Sequence, residues 1–243
     1  MDAMPIDFAQ ELSGWSAQLK SCKSAILSAN KRMTELPQGG TAIGTGVNSH
    51  KNFSKNFCEA LDKVSGLKVK PVSNFFQGLS SQDNAAELSS ALKNLSLVLM
   101  KICNDLRWMN SGPLTGLSDI ELEALQPGSS IMPGKVNPVV PEAVSMACAD
   151  VIGNDLTISI AVQNGNFQLN VMLPVIAYNL LKSINLLGNC MPLLAKKCVK
   201  SFKVNKKSVQ ENLNKNPILV TALNPIIGYK KACLLYTSPS PRD

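Results

Sequence analysis

The sequence predicts an all-α fold, an elongated bundle of long helices followed by the start of a small helical C-terminal domain. Three observations support this prediction. Apolar residues recur at helical spacing through several long segments, and the alternating patterns typical of strands are scarce. Hydrophobic residues make up 45% of the 243 residues, so the chain is long enough to bury a sizeable core.

The longest periodic segment follows a heptad pattern and predicts a core helix over residues 88–109. Its apolar residues alternate steps of four and three, which places them on one narrow stripe. We expect this stripe to pack in the core, and it is also long enough to serve an interface between subunits. The stripe consists of Leu88, Leu92, Leu95, Leu99, Ile102, Leu106 and Met109.

Two helices are predicted ahead of this stripe. The first starts near Phe8, carries an apolar face through Trp15 and ends near the Pro-Gln-Gly-Gly turn at residues 37–40. A Gly/Thr-rich turn follows, and a short helix is then expected over about residues 51–64.

Two long helices are predicted after the stripe. One begins after Pro138 and runs toward Gly165. The other spans residues 168–199, and Pro174 and Pro192 are possible kinks within it, because proline removes a helical hydrogen bond.

The pattern divides the chain into three parts. Residues 1–204 are predicted to form a central helical bundle domain. A shorter basic helix at residues 206–214 marks residues 205–232 as the start of a small C-terminal domain. Residues 233–243 show no helical pattern and are predicted to be a foreign or disordered tail.

Charge and hydropathy restrict the partners. The formal net charge is +7, which permits an anionic partner. Aromatic residues make up 5% of the chain, and the densest basic cluster, at residues 196–207, contains Phe202 as its one aromatic side chain. Nucleic-acid binding usually combines basic and stacking side chains, so we expect no nucleic-acid partner. No stretch of about 18 uncharged apolar residues is present, so we expect no membrane partner.

Cysteine usage indicates a reducing compartment. The seven cysteines are widely spaced and odd in number, and none forms a C-x-x-C pair. Cys22, Cys103, Cys148 and Cys190 lie within apolar helical patterns, where a free cysteine acts as a small hydrophobic residue. The N-terminal residues MDAMPIDFAQEL show neither the positive region nor the apolar core of a secretory signal.

The strongest functional signal is the loop at residues 128–137, GSSIMPGKVN. Its two glycines let the backbone fold tightly, so that successive N–H groups can converge on an anion. Ser129 and Ser130 supply adjacent hydroxyls, Lys135 a positive charge and Asn137 an uncharged donor. This donor set suits a group that gains negative charge on oxygen during a reaction. The alternative is an inert surface turn, since Gly, Ser, Pro and Asn are common turn residues.

The full string GSSIMPGKVNP resembles the signature loop of the fumarase and aspartase superfamily. The similarity to class II fumarate hydratase extends over about residues 1–232, through the segments LPQGGTAIGTGVN, MKICNDLRW with SGP, GNFQLNV and LVTALNP. Gly134 favours fumarase, because aspartase tends to carry alanine at this position. The resemblance implies a hydro-lyase that interconverts fumarate and L-malate in the tricarboxylic acid cycle.

The resemblance also implies roles for individual residues. Ser129 corresponds to the catalytic serine base, and Glu142 to a glutamate that handles water together with a histidine. The substrate-binding positions correspond to Ser130, Lys135, Val136 and Asn137. Without the resemblance, Glu142 is a first-turn acid that favours the helix dipole. Lys135 is then a solvated loop lysine, and the two serines are turn caps.

The resemblance further implies a homotetramer in which each active site is assembled from three subunits. The substrate is expected to be a small dicarboxylate, and no metal or organic cofactor is implied. The location is expected to be the cytoplasm or the mitochondrial matrix.

The chain resembles a fragment of such an enzyme. Met1 lies just after the position of the family's Thr-His motif, and the single histidine, His50, does not match that motif. The family pattern ends after about Ala232. We therefore expect the isolated chain to be inactive. Two alternatives stay open, an ammonia lyase acting on aspartate and a non-catalytic helical assembly module.

Overall fold

The computed structural model describes residues 3–236, which form a helical bundle with a few very short strands. The α-helices are α1 (Phe8–Arg32), α2 (Phe53–Ser65), α3 (Phe75–Ser80), α4 (Asp83–Met109), α5 (Val139–Val162), α6 (Leu173–Leu194), α7 (Lys206–Asn214), α8 (Asn224–Ile227) and α9 (Tyr229–Tyr236). A π-helical turn, Ala195–Val199, continues α6, and a 3₁₀-helix, Pro217–Leu223, precedes α8. The predicted all-α fold class is confirmed.

Three pairs of two-residue strands connect the ends of the helices. The strands are β1 (Glu35–Leu36), β2 (Lys70–Pro71), β3 (Ile120–Glu121), β4 (Gly165–Asn166), β5 (Leu169–Asn170) and β6 (Lys203–Val204). β1 pairs with β2 in parallel, whereas β3 pairs with β6 and β4 with β5 in antiparallel orientation. The β3–β6 pair joins segments that lie far apart in the sequence.

Helix α4 lies at the centre of the bundle, with α1 and α5 packed against it, and α6 packs on the other side of α5. The predicted heptad stripe is buried in this core, apart from Met109, which is half-buried. Burial of each such leucine stabilises the fold by about 2 kcal/mol. Core packing of the stripe is confirmed, and the stripe therefore cannot also serve an interface between subunits.

The polypeptide between α5 and α6 forms a hairpin, so α6 begins at Leu173 and not near residue 168 as predicted. The buried Asn170 side chain holds the hairpin against α5, because its Nδ2 donates to the carbonyl oxygens of Ala161 and Val162 at 3.2 and 3.3 Å. Its Oδ1 accepts from the N–H of Met172 at 2.8 Å. These bonds cap both helices at the connection.

The two prolines of α6 lie near its ends, and not in the middle where a kink would divide the helix. Pro174 lies in the first turn, where its missing N–H has no helical partner to lose. Pro192 lies in the last turn, and the π-helical turn begins three residues later. The helix changes its hydrogen-bonding pattern after Pro192 instead of bending in the middle.

Two polar networks link the long helices. Asp155 of α5 is buried and accepts hydrogen bonds from Ser89 Oγ at 2.7 Å and Lys93 Nζ at 2.6 Å, both from α4. At the α1–α4 contact, Lys101 forms ion pairs with Glu11, at 2.8 Å, and with Asp105. The indole N–H of the buried Trp15 donates to Glu11 at 2.7 Å. These contacts fix the register of α4 against α1 and α5.

Helices α5 and α6 carry an exposed apolar face, which we call the α5–α6 face. On α5 its members recur at helical spacing, and Gly153 between them opens onto free space. The face consists of Met146, Leu156, Ile160, Tyr178, Leu181 and Ile184, of which Met146 is 71% and Leu181 is 60% exposed. Surfaces of this kind commonly mark protein–protein contacts.

Within residues 3–236, α5 is the one helix that is long and apolar enough to cross a membrane by length and composition. Its mean hydropathy over 18 residues is 1.2, but it also carries Glu142, Asp150 and Asp155. Val144, Cys148, Val151 and Ile158 of this helix are buried against α4 and α6. This placement is that of a core helix.

The C-terminal region begins as predicted and then departs from the prediction. α7 spans residues 206–214, as expected. The expected unstructured tail is wrong for residues 233–236, which complete α9, because Tyr229–Tyr236 continues helically and buries Ala232. The rest of the predicted tail, residues 237–243, lies outside the described residues. The division into domains at residue 204 stays a prediction.

Candidate active site

The loop at residues 128–137 is held closed by contacts between its two ends. The N–H of Gly128 donates to the carbonyl oxygen of Lys135 at 2.7 Å, and Asn137 Nδ2 donates to the carbonyl oxygen of Gly128 at 3.2 Å. A Cβ atom on Gly128 would lie 2.9 Å from that Lys135 oxygen, so no side chain fits there. Gly134 adopts a positive φ of 77°, which favours glycine. The closed loop therefore requires glycine at position 128, where a side chain does not fit, and favours it at position 134, where φ is positive.

Ser129 lies inside the closed loop, where backbone donors surround its hydroxyl. Its Oγ accepts from the N–H groups of Ile131 and Met132 at 3.2 and 3.1 Å. A neutral serine in this position makes a local turn contact. The same two N–H groups would stabilise negative charge on Oγ, as a serine acting as a base requires. The arrangement therefore combines turn capping with the convergent donors predicted from the sequence.

An open groove of about 1350 Å³ lies beside this loop. Of the six residues predicted for the site, four line this groove: Lys135, Val136, Asn137 and Glu142. Ser129 and Ser130 are not among the described residues that line it. Ser129 is half-buried within the loop, and Ser130 is exposed on it. The structure thus brings the lysine, the amide and the carboxylate together and leaves the two serines in the adjoining turn.

Glu142 reaches the groove from the first turn of α5. Its backbone N–H donates to the carbonyl oxygen of Pro138 at 3.2 Å, in the first turn of the helix. The carboxylate therefore lies at the helix N-terminus, where the helix dipole favours its negative charge. Glu142 follows Asn137 by five residues and lines the same groove. A role with the helix dipole and a role in the site are therefore compatible.

The groove is also lined by residues that were not predicted as site residues. Asn104, Arg107 and Trp108 project from the end of α4, and Lys203 and Lys206 come from β6 and the start of α7. The sequence could have indicated Asn104, Arg107 and Trp108, because they belong to the MKICNDLRW segment that resembles the family. No local signal places Lys203 or Lys206 in the groove, since β6 reaches it by pairing with β3.

The Gly/Thr-rich turn before α2 contributes neither of its two candidate polar residues to the groove. His50 is exposed, and its Nδ1 accepts from the N–H of Asn52 at 3.2 Å. Asn48 adopts a positive φ of 62°, which asparagine tolerates in turns. Neither residue lines the groove in the described part of the chain. Both act as turn residues here.

The cysteines play a structural role. Burial raises the pKa of Cys103 to about 12 and the pKa values of Cys148 and Cys198 to about 11. These thiols therefore stay protonated at neutral pH and pack as small apolar groups. Among residues 3–236, no three histidine, cysteine, aspartate or glutamate side chains are grouped so as to hold a metal ion.

Comparison with known proteins identifies the family. The sequence pattern of the family described as Lyase matches residues 1–153. The chain belongs to the lyase family. The Pseudomonas aeruginosa protein named fumarate hydratase class II 2 is 57% identical to this chain over 232 residues, which are 96% of this chain and 51% of that protein. The Xylella fastidiosa fumarate hydratase class II is 56% identical over 235 residues, covering 97% of this chain and 50% of that protein.

A solved structure also resembles this chain. The class II fumarase from Schistosoma mansoni superposes with a TM-score of 0.95 at 38% identity, covering 97% of this chain and 52% of that one. The resemblance to class II fumarate hydratase is therefore confirmed. The chain spans about half the length of the curated relatives that it matches.

Proposed function

We propose that the chain is the serine-side part of a fumarate hydratase, which adds water reversibly across the double bond of fumarate to give L-malate in the tricarboxylic acid cycle. The observation that carries this proposal is the groove, which gathers Lys135, Asn137 and Glu142 in a chain 57% identical to a protein named fumarate hydratase. The substrate class is a small dicarboxylate, and the addition is anti.

Proton removal from malate is the step that the serine loop supports. Ser129 as an alkoxide takes the proton from the carbon next to a carboxylate, and that carboxylate then carries a second negative charge. A serine hydroxyl is too weakly acidic to act unaided, so its alkoxide needs donors. The N–H groups of Ile131 and Met132 already point at Oγ. Ser130, Lys135, Val136 and Asn137 bind the substrate, and the cation of Lys135 offsets the charge that develops on its carboxylate.

The hydroxyl group of malate needs a proton in order to leave as water. Glu142 takes part in this proton transfer. Hydroxide leaves as water when it receives a proton from a group on the opposite side of the substrate. Glu142 handles this water together with a histidine of the complete enzyme. The chain itself contains a single histidine, His50, which is bound in its own turn. We therefore expect the isolated chain to have negligible hydratase activity.

The α5–α6 face supports a homotetrameric assembly of the complete enzyme, with each active site shared between subunits. α5 has the composition of a buried helix, yet one third of its most apolar 18 residues is buried within the chain. A second copy of the same face is the simplest partner, because symmetric contacts use one surface twice. Because the matched relatives include bacterial enzymes, we place the complete enzyme in the cytoplasm; the mitochondrial matrix stays a prediction.

An assay of the intact parent enzyme tests the proposed activity. L-Malate and L-aspartate are supplied in separate reactions, and fumarate formation is followed by ultraviolet absorbance. We expect fumarate from malate and a rate with aspartate at least about a hundredfold lower, because a site built to bind a hydroxyl group discriminates strongly. Turnover of aspartate in place of malate would identify an ammonia lyase. The 243-residue chain is assayed in parallel, and robust malate turnover by it would contradict the expected inactivity.

A further inference from the structure

The groove carries more positive charge than the proposed reaction uses. Four cationic side chains line it, and two carboxylates oppose them. The cations are Arg107, Lys135, Lys203 and Lys206, and the carboxylates are Glu121 and Glu142. Among residues 3–236, no carboxylate lies within ion-pair distance of Lys203 or Lys206. Their charge therefore adds to the potential in the groove.

The backbone that carries these two lysines is fixed against the groove by several contacts. β6 pairs with β3, so Lys203 lies opposite Glu121 and Val204 opposite Ile120. The N–H of Asn205 donates to the carbonyl oxygen of Asp119 at 2.9 Å, and its Nδ2 donates to Ser118 Oγ at 3.2 Å. The segment is therefore held in place, and the lysines are not on a free surface loop.

Folding does not account for a cation at this position. Lys206 is the first residue of α7, and the first turn of that helix contains no acidic residue. A positive charge at a helix N-terminus is unfavourable, because the helix dipole is positive there. Such a residue weakens its own helix and strengthens the positive potential in front of it. A ligand with negative charge would reverse the sign of that interaction.

We propose that Lys203 and Lys206 form an anion-recruiting wall, which concentrates a small dicarboxylate dianion in the groove before it reaches Lys135 and Asn137. This inference rests on the proposed function for the identity of the dianion. The two lysines contribute to recruitment and not to the chemical step, since a groove whose cations outnumber its carboxylates raises the local concentration of anions. Glu121 opposes this effect.

Trp108 provides a direct readout, because it lines the groove and is 69% exposed, whereas Trp15 is 4% exposed. Quenching of tryptophan fluorescence by iodide reports the anion concentration near Trp108, and quenching by caesium reports that of cations. Iodide replaces chloride at a constant ionic strength of about 0.1 M, where the screening length is about 10 Å. Trp108→Phe in the same 243-residue chain confirms the origin of the signal.

The double variant Lys203→Gln/Lys206→Gln should lower the iodide quenching constant about twofold and raise the caesium quenching constant. Lys207→Gln is the matched control, since Lys207 has an 87% exposed side chain beside Lys206 and does not line the groove. It should change neither constant. Glu121→Gln removes a negative charge from the groove and should therefore raise the iodide quenching constant. This variant tests the inference even if the double variant folds poorly.

Succinate, an unreactive dianion, serves as the probe of dicarboxylate recruitment. It should protect Trp108 from iodide in the unmodified chain, and the double variant should lose this protection. In the intact parent, the double variant should raise KM for malate about twofold or more and leave kcat unchanged. Unchanged iodide quenching in the double variant would overturn the inference, even if malate turnover is found. Absence of malate turnover in the parent, with quenching as expected, would instead overturn the proposed function.

Discussion

At the scale of single residues, the Ser129 hydroxyl is the most informative group in the chain. Two backbone N–H groups donate to its Oγ, and the loop that supplies them is closed through Gly128, Lys135 and Asn137. The closed loop therefore holds both donors in place. Preorganised donors of this kind are worth most when charge develops during a reaction, because no reorganisation is then required.

Replacement of Ser129 by alanine in the intact parent should remove the base and keep the assembly. We expect turnover of malate to fall by about two to four orders of magnitude, the usual contribution of a positioned base. Fumarate absorbance gives the rate, and size-exclusion chromatography gives the assembly state. Ser13→Ala on α1, where Oγ donates to Gln10 of its own helix, is the control and should keep full activity. A near-normal rate for the Ser129 variant would refute the assignment of the base.

The Glu11 carboxylate gives a pH-dependent contribution to stability. The hydrogen bond and charge of Lys101 lower the pKa of Glu11 below its ordinary value of 4.5, although partial burial raises it. A lowered pKa means that the stabilisation is present above the ordinary value and is lost as the pH falls through the lowered one.

Glu11→Gln should therefore lower the free energy of unfolding at neutral pH by less than about 1 kcal/mol, since the pair is partly solvent-exposed. The difference from the unmodified chain should shrink below pH 4.5. Urea unfolding followed by tryptophan fluorescence measures both. Glu59→Gln, in an exposed pair with Lys55 on α2, should show no comparable change. A difference that grows in acid would contradict the assigned sign.

At the scale of the helices, α5 links the site to the core. Its first turn presents Glu142 to the groove, and its middle buries Asp155 against Ser89 and Lys93 of α4. A buried carboxylate with two partners specifies one register between two helices, because any slip leaves it unpaired. The position of Glu142 therefore depends on contacts made farther along the same helix.

Asp155→Ala should destabilise the chain by about 2 kcal/mol, because it leaves Ser89 and Lys93 without their partner. Lys93 keeps some solvent access, with a side chain 34% exposed, which limits the loss. Asp150→Ala is the matched control on the same helix, since Asp150 pairs with Lys182 at the surface, and it should change stability little. If the two substitutions lower the free energy of unfolding in urea equally, the buried Asp155 network stabilises the chain no more than the surface pair does.

The sequence predicted the helices whose apolar stripes are long and missed the features that depend on contacts between segments. The heptad through Leu99 and the start of α5 after Pro138 agree with the structure. The start of α6 was wrong because the residues of the β4–β5 hairpin are also compatible with a helix, and Asn170 decides between them. At the site, Lys135 and Asn137 could be predicted from a local motif, whereas Lys206 could not, because a distant strand pairing brings it to the groove.

At the scale of the whole molecule, the α5–α6 face is the surface that we propose for contact with other copies of the chain. The heptad stripe of α4 is used inside the chain, whereas α5 and α6 each expose several large apolar residues. A face of this kind is costly in water for a monomer and is stabilised when a partner covers it. Assembly of the complete enzyme should therefore depend on this face.

Leu181→Glu in the intact parent should disrupt assembly and leave each subunit folded. A charge buried in an apolar interface without a partner costs about 3 kcal/mol or more, and a symmetric assembly incurs this cost at every copy. Light scattering after size-exclusion chromatography measures the assembly state, and circular dichroism measures the helix content. Val64→Glu, at an 87% exposed position on α2, is the control and should assemble normally. If Leu181→Glu leaves the mass of the assembly unchanged, the α5–α6 face is not an interface between subunits.

The pairing of β3 with β6 has a consequence for the synthesis of the protein. The lining residues Lys135 and Asn137 precede α5, whereas Lys203 and Lys206 follow α6, so they meet only after both helices have been made. A nascent chain on the ribosome can form the serine loop early from residues that are near in sequence. It cannot close the groove until Lys206 has left the exit tunnel, so anion binding should appear late in translation and as a single step.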